Sequence, residues 1–222
     1  MKRHLRVVFH LRKLIKPLSC AYYHWTLTKT LPTQYRLLGF SSEIAVSFLL
    51  YLIALAASNL LTSLLEGDFS LMLYLPAGIK LLSVLVFQWR GAIGIGLAIL
   101  ARFMFYDQAY TFLQAVAMAS IIAGATYFVI YGYMKIFRIS FNLENLNLWH
   151  VVGLSAVCSI TNGFLFSWLL FYFNHLEFEQ YWRKVFFVVI NNFTGNALVA
   201  WLLTYLARAQ LFQKHLHNLQ RP

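Results

Sequence analysis

Long apolar stretches alternate with short polar connections along most of the chain. The stretches are residues 44–65, 71–88, 92–106, 113–134, 150–173 and 185–206. Only Lys80 and Arg102 carry a charge within them. Four of the six contain 22 residues or more, which exceeds the ~20 residues that a helix needs to cross the hydrocarbon core of a bilayer. The pattern predicts an all-α integral membrane protein, with a six-span transmembrane helical bundle over residues 44–206.

The second and third stretches are shorter than the others. They contain 18 and 15 residues, and they are interrupted by Pro76 and Gly91. They fit either two ordinary helices joined at Gln88–Gly91 or a hairpin of broken helices. Both arrangements return the chain to the same side of the membrane, so the remaining topology is the same for either.

Composition agrees with a membrane protein. The chain is 60% hydrophobic and 18% aromatic, and its mean hydropathy is +0.65. A soluble domain of 222 residues cannot hide so much apolar surface. The two cysteines, Cys20 and Cys158, cannot form a disulfide framework. The net charge of +11 is explained by topology and by anionic lipid headgroups, so we expect no nucleic-acid partner.

The positions of the basic residues predict the orientation. With the N-terminus placed in the cytoplasm, fourteen Lys and Arg residues fall on the cytoplasmic side and two, Arg183 and Lys184, on the other. Such an excess marks the cytoplasmic side of a membrane protein. We therefore expect a multi-pass protein of the bacterial inner membrane with both termini in the cytoplasm.

The first 43 residues contain a basic amphipathic pattern instead of the continuous apolar core of a secretory signal. Apolar residues at helical spacing lie opposite a basic face, which predicts an N-terminal amphipathic helix on the inner leaflet. The anchoring residues are Arg3, Arg6, Arg12, Lys13 and Lys16. Docking of a protein partner on residues 1–43 is the alternative. Residues 207–222 form a short basic cytoplasmic tail.

The motifs that usually carry chemistry are missing from the sequence. It has no P-loop, no HExxH helix, no GxSxG elbow and no CxxC pair. The seven histidines are scattered and have no neighbouring carboxylate or thiolate cluster. We therefore expect no catalytic residues, no metal site, no cofactor and no enzymatic activity in this chain.

Polar residues inside the apolar stretches form the candidate site. An ionisable or amide side chain in a membrane helix usually faces the bundle interior. At ~1.5 Å rise per residue, the residues Lys80, Arg102, Asn162 and Asn196 fall near the midplane. Asn192 is one turn from Asn196 on the sixth stretch, and Asn59 lies in the outer half of the first. The candidate ligand-binding residues are Lys80, Arg102, Asn162, Asn192, Asn196 and Asn59. Two cations without an intramembrane acid favour a small anionic or carbonyl-bearing ligand.

Two alternatives to that site remain open. Lys80 and Arg102 could extend their head groups to the membrane interface, or Arg102 could pair with Asp107. Small residues four apart also predict which helix faces pack closely in the bundle. These faces are Gly94 and Ala98, which share their side of the helix with Arg102; Ala115, Ala119 and Ala123; and Ser155, Ser159 and Gly163.

Two segments resemble the bacterial membrane-associated sensor (MASE-type) domains. Residues 74–98 contain the run YLPAGI, the turn WRG and the glycine-rich IGIGLA. They resemble the aromatic-Pro-Ala-Gly opening, the basic turn and the Gly-rich helix start of those domains. Residues 191–196, NNFTGN, resemble their late helix, although Asn stands where those domains often have Asp before the Gly. The resemblance implies a sensory or scaffold protein in a stand-alone form, without an output domain, acting through a membrane or cytoplasmic partner.

Two other hypotheses about the function are compatible with six helices. The alternative function is the substrate-binding subunit of an energy-coupling-factor vitamin transporter, whose first helix docks its partner through small residues. Ala54 and Ser58 are a weak match to that face. A localisation factor that recruits partners through its basic tail would need no binding site.

The first prediction concerns topology. Reporter fusions after Lys135 and after Arg208 should both report a cytoplasmic location, because the positive-inside rule places both sites inside. A fusion next to Glu179 serves as the control and should report the outside. An outside signal from the Arg208 fusion would contradict the six-span count.

Overall fold

Six α-helices make up the protein in the computed structural model, which describes residues 33–64, 74–107, 109–140 and 146–219. In chain order the helices are α1 Thr33–Leu64, α2 Leu75–Phe87, α3 Trp89–Phe105, α4 Phe112–Ile136, α5 Leu148–Tyr172 and α6 Phe178–Leu219. The described residues contain no β-strand. The predicted all-α class is confirmed for this part of the chain, whereas the N-terminal amphipathic helix and its five anchoring residues lie outside it.

Side-chain and backbone caps fix where several helices begin and end. The Thr111 side chain accepts from the Gln114 amide while the Gln114 side chain accepts from the Thr111 amide, a reciprocal capping box that starts α4. The Asn147 side chain starts α5 by accepting from the His150 amide at 2.8 Å. Asn174 follows α5 with a φ of 59°, and the next amide, that of His175, bonds back to the Leu170 carbonyl at 2.8 Å, as in a Schellman ending.

Four of the helices are long and apolar enough to cross a membrane. These segments are Gly39–Leu64, Phe112–Ile136, Trp149–Tyr172 and Phe178–Leu202. Large apolar side chains are exposed along them; Phe128, for example, is 71% exposed. A soluble monomer rarely exposes so extensive an apolar surface, whereas a lipid bilayer would cover it. The protein is therefore a helical, multi-pass membrane protein.

The second and third predicted spans form a short hairpin. Helix α2 has 13 residues and α3 has 17, so at 1.5 Å per residue they extend about 20 and 25 Å, less than a ~30 Å hydrocarbon core. Gln88 alone separates them, with a positive φ of 55°. A Cβ on Gly91 of α3 would collide with the backbone of Ser83 in α2. The structure therefore has two short, unbroken helices joined at Gln88.

Helix α2 lies at the centre of the bundle. It packs against α1, α3, α4 and α6, and most of its side chains are buried. Pro76 lies in its first turn, where the missing N–H of proline leaves no hydrogen bond unmade. The preceding amide, that of Leu75, donates to Ser58 Oγ of α1 at 3.0 Å. The central helix thus starts with its free amide capped by a neighbouring helix.

Two glycines let the start of α2 pack directly on α6. A Cβ on Gly195 would lie against the carbonyl oxygen of Tyr74, and a Cβ on Gly78 would collide with Val199 and the Gly195 carbonyl. Small residues permit such close approach of helix backbones in lipid. The YLPAGI and NNFTGN segments, far apart in the chain, therefore meet at this contact.

The predicted small-residue faces are confirmed as packing faces. Ala98, Ala115, Ser159 and their partners on these faces are buried. A Cβ on Gly94 would meet the backbone of Ile44 and the Ser47 side chain, so this face of α3 packs on α1. The burial follows from the sequence spacing, because residues four apart share one side of a helix.

The second prediction tests the contact between α2 and α6. Gly195→Ala should lower the thermal unfolding midpoint of the detergent-purified protein, by an amount that corresponds to about 1–3 kcal/mol, because the new methyl meets a backbone carbonyl that cannot move alone. Gly124→Ala on α4 is the matched control. Its Cβ would have open space around it, and the change should be neutral or slightly stabilising. Equal midpoints for the two variants would show that the contact is not tight.

Candidate functional site

Lys80 is buried in the middle of the central helix α2. Its side chain is only 6% exposed, although lysine is almost never buried without a partner. The adjoining residues of α2, Ala77 and Leu81, are apolar and buried as well. The head group is thus held inside the bundle and does not extend to the membrane interface.

Polar side chains from three other helices converge on Lys80. With Ala77 and Leu81, the residues that line the space are Lys80 of α2, Thr126 of α4, Cys158 and Asn162 of α5, and Asn192 and Asn196 of α6. We call this set the Lys80 recess. The three asparagines are each at most 6% exposed. The recess is too narrow to admit a water molecule in this structure.

Hydrogen bonding in the Lys80 recess is incomplete. Asn196 Nδ2 donates to Ser159 Oγ at 3.2 Å and approaches the Ser155 carbonyl at 3.4 Å. Its carbonyl oxygen, Oδ1, is buried without a partner. Thr126 Oγ1 donates to the Ile122 carbonyl of its own helix at 2.8 Å. A buried acceptor left unpaired costs about 1–3 kcal/mol, so the recess retains unused polar capacity.

The charge of Lys80 has no counter-ion within the described residues. The two acids nearest the bundle interior are used elsewhere: Glu43 pairs with Arg90 at 3.0 Å, and Asp107 pairs with Arg102 at 3.1 Å. Glu177, in the turn before α6, and Glu179, in the first turn of α6, are both exposed. An unbalanced charge in an apolar interior is expensive, so the burial of Lys80 costs free energy in the folded protein.

Arg102 belongs to a different cluster at the far end of the hairpin. Its Nη1 donates to the Tyr74 hydroxyl at 2.7 Å, and that hydroxyl lies 2.9 Å from the Tyr51 hydroxyl. Its Nε donates to Asp107 Oδ2 at 3.1 Å. The alternative in which Arg102 pairs with Asp107 is therefore confirmed. This cluster ties α1, α2 and α3 together.

The structure thus corrects the expectation that Lys80 and Arg102 face one cavity. Arg102 does not line the Lys80 recess. Six residues, about 9 Å of helix axis, separate Lys80 from Tyr74, the residue that Arg102 reaches. Counting residues from the expected span ends assigned both cations the same depth, but the long Arg102 side chain is drawn towards Asp107, beyond the end of α3.

Asn59 lies apart from both clusters. It is exposed on α1, whereas its neighbour Ser58 is buried and caps α2. Of the six candidate residues, Lys80, Asn162, Asn192 and Asn196 come together in the Lys80 recess, and Arg102 and Asn59 do not.

Sequence reasoning missed Thr126, Cys158, Tyr51 and Tyr74. Thr126 follows Ala123 by three residues and Cys158 precedes Asn162 by four, so extending the two small-residue faces by one turn would have found both. The two tyrosines had no such signal, because an aromatic side chain is ordinary in a membrane helix.

No metal site is formed by the part of the chain that the structure describes, since no three His, Cys, Asp or Glu side chains gather there. Comparisons with family models, with curated proteins and with solved structures find no match to this chain. The resemblance to the sensor domains therefore stays a prediction.

The third prediction concerns the cost of the buried charge. Lys80→Met keeps the unbranched shape of the side chain and removes its charge, so the unfolding midpoint in detergent should rise by an amount that corresponds to about 1–4 kcal/mol. Ser83→Ala, which changes a buried uncharged residue one turn along α2, should shift the midpoint much less. A lower midpoint for Lys80→Met would mean that the charge is stabilised in the folded protein.

Proposed function

We propose that this chain is a six-span sensory protein of the bacterial inner membrane, with both termini in the cytoplasm. In this proposal a small ligand binds at the Lys80 recess, and the resulting shift of α2 is passed to a partner protein. The observation that carries the proposal is the buried, unpaired Lys80 among amides from α5 and α6. Intramembrane ionisable residues of this kind usually serve binding or transport.

The position of Lys80 supports a response to ligand as well as binding. Helix α2 touches α1, α3, α4 and α6, so a ligand that moves it disturbs contacts throughout the bundle. Because the recess is too narrow even for a water molecule in this structure, a ligand has to move the Lys80 side chain or α2 itself. Binding and rearrangement are therefore coupled, as a ligand-driven population shift requires.

A second set of contacts offers a route from α2 to the cytoplasmic side. At the tip of the hairpin, Arg90 Nη1 donates to Glu43 Oε2 of α1 at 3.0 Å. The Arg90 guanidinium also lies 5.5 Å from the ring centre of Phe40, whose ring packs 5.3 Å from that of Trp89. The hairpin tip and the first turns of α1 are thus tied together, and the charge distribution predicts that they face the cytoplasm.

The partner-docking face that the transporter-subunit hypothesis needs is not supported by the burial of Ala54 and Ser58. Ala54 and Ser58 would need to face outward in order to dock a transport partner, but they are 7% and 4% exposed, and Ser58 caps α2. A sensor that works through the hairpin is the better account of the same six helices.

The fourth prediction tests this function in cells. A photo-crosslinking phenylalanine analogue at Trp89, which is 44% exposed at the hairpin tip, should capture a partner protein. The yield of that adduct should change at least twofold in the Lys80→Met background, because the variant cannot bind the ligand. The same analogue at Phe105, 77% exposed at the opposite end of α3, is the positional control.

Two results would contradict the proposal. One is an identical adduct yield from Trp89 in wild-type and Lys80→Met cells. The other is a combination of two findings: a vitamin-like molecule stays bound to the protein through purification, and the partner crosslinked at Trp89 is an energising transport complex. That combination would support the transporter subunit.

A further inference from the structure

The charge inside the Lys80 recess limits what can bind there. Lys80 supplies one positive charge, and Arg102, which is bonded to Asp107 and Tyr74, does not line the recess. A ligand with one negative charge leaves the interior neutral. A dianion would leave a net negative charge and a neutral ligand a net positive charge, and both are costly in an apolar bundle. The recess therefore matches a monovalent anion.

The free donors around Lys80 indicate the shape of that anion. Within the described residues the Asn162 and Asn192 side chains, one on α5 and one on α6, take part in no hydrogen bond, whereas the Asn196 amide hydrogens are directed to Ser159 and Ser155. Two amide donors on different helices and one ammonium group suit an acceptor with two separate oxygen atoms. A planar carboxylate has this geometry and forms strong charge-assisted hydrogen bonds.

The rest of the lining indicates a small aliphatic body. Ala77 and Leu81 provide the apolar contacts, and no aromatic ring lines the recess. Since the recess cannot hold a water molecule in this structure, a ligand gains its space where the flexible four-carbon stem of Lys80 yields or where α2 moves. Such a space suits a chain of a few carbon atoms.

We infer that the Lys80 recess binds one short-chain monocarboxylate, with Lys80 as its counter-ion and the Asn162 and Asn192 amides as its hydrogen-bond donors. This inference rests on the proposed function and names the ligand class of the same site.

Sodium propionate is the probe for this inference. In the full chain in detergent it should raise the unfolding midpoint as its concentration increases, because a ligand that binds only the folded state stabilises it. Radiolabelled propionate should bind at one molecule per chain. Propionamide, which has nearly the same shape without the charge, sodium succinate and sodium chloride at equal ionic strength should each produce less than a tenth of the propionate shift.

Variants locate the effect. Lys80→Met, which we expect to fold with a raised midpoint, should abolish the propionate shift and the bound label. Asn192→Leu, which keeps the number and branching of the side-chain heavy atoms but removes the amide, should weaken binding at least tenfold. Arg102→Gln should bind propionate as the wild type does, because Arg102 lies outside the recess.

The outcomes separate this inference from the proposed function. Equal shifts with propionate and propionamide, a larger shift with chloride or succinate, or a propionate effect that survives in Lys80→Met would each overturn the carboxylate assignment. In those cases a Lys80-dependent change in the Trp89 crosslink would leave the sensory function standing. Loss of both the propionate effect and the crosslink change would overturn the two together.

Discussion

The rest of the bundle depends on the backbone contact between the start of α2 and the glycine side of α6. Only because Gly195 and Gly78 lack side chains can the Tyr74 carbonyl lie against α6. That approach holds a 13-residue helix in the centre of the bundle. It also brings Lys80 beside the Asn192 and Asn196 side chains. The close packing of α2 on α6 and the convergence of polar side chains at Lys80 therefore both follow from the absence of side chains at these two glycines.

The helix faces that are buried in this fold can be predicted from the sequence more completely than the chain reversals between helices. The Ala115, Ala119 and Ala123 face could be predicted because residues four apart share one side of a helix. The sequence also predicts a junction at Gln88–Gly91, but not that Gln88 alone makes the reversal, since a positive φ at a non-glycine residue depends on tertiary packing on both sides of it. Four of the six predicted spans are helices long and apolar enough to cross a membrane. The other two were predicted from apolar length, which does not distinguish a full crossing from a short packed hairpin.

The same division applies to the candidate site. Lys80 and the three asparagines come together because isolated polar residues in apolar helices have only the interior to face. Arg102 was assigned to the same place from its depth, but depth along one helix does not say which way a long side chain extends. The Arg102 cluster also depends on Tyr51 and Tyr74, whose hydroxyl groups have no sequence pattern that pairs them.

The shortness of α2 has a consequence for biosynthesis. A 13-residue helix that contains a lysine is too short and too polar to enter lipid by itself, and its packing partner Gly195 is synthesised 108 residues after Phe87. At about 5–20 residues per second that delay is roughly 5–20 s. Throughout it, the Lys80 face has to be sheltered by the translocon, by a chaperone or by α1 and α3. The nascent hairpin is therefore the stage at which membrane quality control has the longest time to act on this chain.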